Sequence, residues 1–178
     1  MTRICKIFVT LAISTLSTFT IAHALNPQFA IAQPEEVTPL SKCSKFVTGT
    51  YLTTIVDANG NFASRGMITL TQDGNIFVID SNQGGVKDSF NPFGDTQGAY
   101  KCTGNREISA TGINFGFPGD DGVNDIARSD IGATFDQQTQ TVQGTITVRS
   151  FALNANPLSE EGSVVGTFPF TGQRVNAK

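Results

Sequence analysis

Between residues 141 and 149 the chain alternates without a break: Val142, Gly144, Ile146 and Val148 fall on one side, and Thr141, Gln143, Thr145, Thr147 and Arg149 on the other. A two-residue period belongs to a strand with one dry face and one wet face. The preceding run repeats it, with Ala127, Ile131, Ala133 and Phe135 set against Arg128, Asp130 and Asp136. Six further runs rich in Thr, Val, Ile and Phe complete a series at 46–56, 63–71, 75–80, 98–103, 107–117, 125–135, 141–151 and 163–171. No apolar stretch of helical period is long enough for a helix, so the expected class is all-β.

The breaks between runs carry turn chemistry. Asp73-Gly74 is a two-residue hairpin signal, and Asp57-Ala58-Asn59-Gly60-Asn61 and Thr103-Gly104-Asn105 are slightly longer ones. An even number of hairpin-linked strands lets the last lie antiparallel to the first, removing both sheet edges. The reading is a single antiparallel up-and-down eight-stranded barrel, with a two-sheet β-sandwich as runner-up. Connection lengths add a polarity. The second, fourth and sixth are tight, whereas the first, third, fifth and seventh, at 57–62, 81–97, 118–124 and 154–162, are long. In a meander all the long ones fall at one end, which predicts a cup with a loop-rich mouth, and loops of that length usually serve binding.

Residues 1–32 have the pattern of a secretory signal peptide: Arg3 and Lys6, an apolar stretch, and small-x-small sites that predict cleavage after Ala24 or Ala32. Residues 33–45, with Pro34 and Pro39, read as an extended lead-in, and 46–178 as the barrel domain. No later segment is apolar enough to span a membrane, so the expected location is periplasmic or extracellular. Cys5 falls in the removed stretch. In an oxidising compartment Cys43 and Cys102 most simply form one disulfide, with 39–45 carried across the barrel floor as a plug.

The lone histidine, His23, is also removed, which excludes Ser-His-Asp and Cys-His relays and any imidazole metal site. Beyond residue 32, ten basic residues scattered singly face fifteen acidic ones, a balance unsuited to nucleic acid. No cofactor is expected. Asp120, Asp121, Asn124 and Asp125 cluster in one connection in a loose calcium-like pattern, but the alternate-position acids and distal glutamate of an EF-hand are missing. The third connection holds Gly84-Gly85, Phe90 and Phe93, and Phe117 ends the fifth run. These three phenylalanines are the candidate contacts for a small apolar ligand at the mouth.

Gly49-Thr50-Tyr51 and Arg174 together resemble the calycin group that includes lipocalins. There a Gly-x-aromatic motif opens the first strand and a basic residue from beyond the last strand packs across the aromatic. That resemblance implies Arg174 over Tyr51 as the barrel closure, here with Tyr in place of Trp and without a C-terminal helix. The chain also resembles short exported barrel proteins of cyanobacteria and other bacteria, and the eight-stranded cups of allene oxide cyclase and dirigent proteins. Three functions follow as expectations. The first is an exported binder of an apolar or amphipathic small molecule. The second is a cofactor-free isomerase or cyclase. The third is a solid-core surface interaction domain.

Overall fold

A computed structural model describes residues 39–87, 90–119 and 122–178. Residues 1–32, read above as a signal peptide, the first part of the expected lead-in, and Asp120 and Asp121 lie outside the described residues.

The described chain opens with a helix, α1 (Pro39–Val47), where an extended lead-in and the start of the first strand were expected. Pro39 suits a first helical turn, where its missing N–H costs nothing. Cys43 and Val47, one helical turn apart, are both fully buried, while Lys42 and Lys45 stay exposed. Nine residues are too few for a stable isolated helix, so tertiary contacts hold this one. The Cys43–Cys102 disulfide ties it to the barrel, and Ser44 Oγ donates to the Gln72 carbonyl at 2.8 Å. The segment does lie across the floor, as a helix.

Eight strands follow: β1 (Gly49–Val56), β2 (Phe62–Leu70), β3 (Asn75–Asp80), β4 (Thr96–Cys102), β5 (Glu107–Gly116), β6 (Asp125–Asp136), β7 (Thr141–Ala152) and β8 (Ser163–Arg174). Each pairs antiparallel with the next, and β8 returns to β1, so the sheet is a closed eight-stranded barrel and not a sandwich. The closing seam is short, from Tyr51↔Arg174 to Ile55↔Phe170. It stops there for a local reason. Val175 N–H donates to the Thr50 carbonyl, so alternate residues of β8 face β1, and the next in that set, Pro169, has no N–H to give. A bulge between Val148 and Arg149 in the β7–β8 register then turns the free upper part of β8.

Inward-facing side chains divide the barrel into two zones. Toward the tight-turn end they are apolar, including Ile68, Leu70, Ile76, Ile108, Ile131, Phe135 and Phe170. Tyr51 meets Phe135 edge-on at 5.2 Å and its hydroxyl donates to the Val47 carbonyl at 3.0 Å, joining the helix to the wall. Toward the loop-rich end the buried residues become small and polar: Ser64, Thr96, Asn114 and Ser129. Asn114 Nδ2 donates to Thr96 Oγ1 at 2.9 Å and Ser64 Oγ to Asp80 Oδ2 at 2.9 Å, so this layer is knitted across strands.

Candidate functional site

The four long connections, 57–61, 81–95, 117–124 and 153–162, do gather at one end, as the up-and-down topology requires. The third is docked and not an open flap. Val86 and Phe90 form a bridge, Phe93 bridges Gly116, Gly94 N–H donates to the Phe115 carbonyl at 2.9 Å, and Phe117 N–H to the Pro92 carbonyl at 2.7 Å. Phe90, Phe93 and Phe117 are thereby brought to one region. The first two rings pack with centroids 5.8 Å apart, and Phe117 lies beside Gly94. Phe90 and Phe117 remain about half exposed, at 44% and 51%.

The seventh connection behaves differently from a mouth loop. Ile126 and Phe151 face each other in the β6–β7 register and are buried, yet they stand outside the barrel core. The connection folds back along the outer wall and covers them. Arg128 donates to the carbonyls of Pro157 and Glu160 (the latter at 3.0 Å), Arg149 donates to that of Glu161 at 3.2 Å, and a Cβ on Gly162 would collide with the Phe151 ring. Arg128 and Arg149 are direct cross-strand partners, an unfavourable pairing that Asp130 offsets by placing its Oδ2 between them, 3.2 Å from Arg128 Nε and 3.4 Å from Arg149 Nε. This strap was not read from the sequence. Its only signal was Arg128, Asp130 and Arg149 on the wet faces of adjacent strands.

Of the calcium candidates within the described residues, Asn124 is exposed and Asp125 accepts from Ser150 Oγ at 2.7 Å. Among the described residues no group of three or more His, Cys, Asp or Glu is placed to hold a metal.

The expected barrel closure is present. Arg174 lies over the Tyr51 ring, 5.9 Å from its centroid, and donates to the Thr48 carbonyl. Gly49 makes room for it: φ is +146°, and a Cβ would sit 2.8 Å from the guanidinium. Gly49→Ala is therefore expected to cost about 1–3 kcal/mol, from backbone strain and the displaced arginine, measured by chemical denaturation. Burial raises the Tyr51 phenol above its ordinary value of 10.0, with the nearby Arg174 charge pulling the other way and Tyr100 adding to the rise. The unfolded chain then loses this proton first. Stability is full below that ordinary value and falls as pH climbs through it, so the denaturation midpoint should drop as the pH is raised above 10.0. Tyr51→Phe should flatten that drop.

Space inside the apolar half is nearly absent. A residual cavity of about 10 Å³ lies among Tyr51, Ile68, Ile76, Ile108, Ile131, Phe135 and Phe170. The larger hollow, about 610 Å³, is a shallow depression on the outer wall over β5 to β8, floored where Gly132 carries no side chain.

Fold and closure together define an eight-stranded antiparallel up-and-down barrel, consistent with a calycin-like fold and floored by a disulfide-tethered helix. No family model, no curated protein and no solved structure matches the chain.

Proposed function

We propose that this protein is an exported surface-recognition module: a solid barrel that meets an apolar partner from outside, at its loop-rich end, with Phe90, Phe93 and Phe117 among the contacts. The observation that carries the reading is the 10 Å³ of space left in the apolar interior, room for a single water at most. A lipocalin-type pocket for a small molecule needs roughly 300 Å³ or more. An isomerase chamber of the allene oxide cyclase or dirigent kind has less support for the same reason. Side chains can fill a small eight-stranded barrel completely, leaving its rim and outer wall as the surfaces available for recognition. The disulfide supports an oxidising location.

Native mass spectrometry of the exported protein, purified from the periplasm, tests the reading. The expected spectrum is that of the bare chain. A stoichiometric small-molecule adduct that survives Phe90→Ser with Phe117→Ser would put the ligand inside the barrel and overturn it.

A further inference from the structure

The two ends of the barrel differ in more than loop length. Three tight turns, at 71–74, 103–106 and 137–140, contain no apolar side chain, and α1 adds exposed Lys42 and Lys45 beside them. At the opposite rim, every long connection or the strand end next to it exposes large apolar groups. Phe62 is 65% exposed at the start of β2, Phe117 51% after β5, and Val164 and Val165 58% and 60% at the start of β8. Phe90, at 44%, completes the ring on the third connection. The loop-rich end thus exposes large apolar groups that the tight turns of the opposite end lack, while Leu52, Met67, Phe77 and Ile79 expose a separate apolar strip on the outer wall of β1 to β3.

Exposed apolar surface on that scale marks a contact with protein or membrane. Its distribution discriminates between them. A protein hot spot gathers its anchors into one desolvated cluster that pairs with a pocket. Here the apolar tips sit on separate connections spread round a whole rim, an arrangement that a flat, deformable apolar medium covers and a rigid pocket does not. Charge narrows the medium further. The same connections carry Asp57, Asp95, Glu160 and Glu161 against Lys87, so an anionic surface would be repelled.

We infer that the loop-rich end docks on an uncharged or zwitterionic lipid surface. The barrel axis stands toward the membrane, the rim phenylalanines and valines enter the headgroup boundary, and the lysine-bearing floor stays in water. The inference rests on the preceding reading that recognition occurs at this end. Nothing in it requires a spanning segment.

The test is flotation of the periplasm-purified protein, its N-terminus fixed by intact mass, with vesicles of pure phosphatidylcholine and with vesicles containing phosphatidylglycerol. The protein should float with the first and less well with the second. Phe62→Ser combined with Phe117→Ser should lower partition at least about tenfold, since binding scales with the apolar area inserted. Val175→Ser, which removes an exposed apolar group at the opposite end, should leave it unchanged. Failure to float with phosphatidylcholine, stronger binding to the anionic vesicles, or equal partition of the rim variant would each overturn the inference. Absence of vesicle binding together with a bare chain in native mass spectrometry removes the lipid and leaves a solid module with a protein partner. An adduct inside the barrel removes both.

Discussion

Phe170→Ala is expected to destabilise the protein by about 3–5 kcal/mol, as truncation of a fully buried aromatic does. Phe170 is 2% exposed, pairs with Ile55 across the closing seam and with Gly144 on the other side, and lines the small residual cavity. Its ring fills the space that Gly144 leaves: a Cβ there would lie 2.8 Å from it. Neighbours on a closed barrel cannot collapse inward without disturbing the register, so most of the hole would persist. Chemical denaturation measures the loss. Phe90→Ala and Phe93→Ala provide the contrast, at most about 1 kcal/mol each, because the first ring is half exposed and the second partly so. If the two loop variants together cost as much as Phe170→Ala, the third connection is part of the core and the rim is not a binding surface.

The second large effect is expected from Cys43→Ser with Cys102→Ser. The bridge closes a separation of 59 residues, for which loop-closure entropy predicts a contribution of about 4 kcal/mol. The consequence should also be local. α1 is too short to persist unaided, and its attachment rests on this bond, the buried Val47 and the Ser44 hydrogen bond. The double variant should therefore lose protection of the α1 amides in hydrogen exchange before the barrel amides, in addition to a lower denaturation midpoint. A free-thiol count on protein purified from the periplasm should be zero; two free thiols there would refute the pairing.

Much of the architecture was legible because strands announce themselves locally. Thr141 to Arg149 alternate, and the structure places Val142 and Ile146 inside and Gln143 and Thr145 outside. Asp73-Gly74 forms a tight turn with Gly74 at φ +92°, as its chemistry demands. Helix α1 was missed because one buried turn, Cys43 to Val47, is too little periodicity to distinguish from an extended segment, and its helicity depends on a bond to a residue far along the chain. The Tyr51–Arg174 contact was legible only through family resemblance, since no local pattern connects residues at opposite ends of a barrel.

The candidate site divides in the same way. Phe90, Phe93 and Phe117 could be assigned to one end by counting strands, because alternation of connections is a property of chain order alone. That the third connection lies docked on the end of β5 depended on backbone hydrogen bonds of Gly94 and Phe117, and that the seventh turns back over Ile126 and Phe151 on hydrogen bonds from Arg128 and Arg149, none of which a spacing rule anticipates. By itself the sequence determined strand number, alternation and the contrast between tight and loop-rich ends, since each follows from a two-residue period and from turn residues read in order, whereas closure over a sandwich was decided by the pairing of β8 with β1. Only the tertiary structure decided that the apolar half of the barrel is packed almost without space. Interior volume depends on how Phe170, Phe135 and the isoleucines from opposite walls interlock across the axis, and that is set by register and shear, which a linear pattern does not contain.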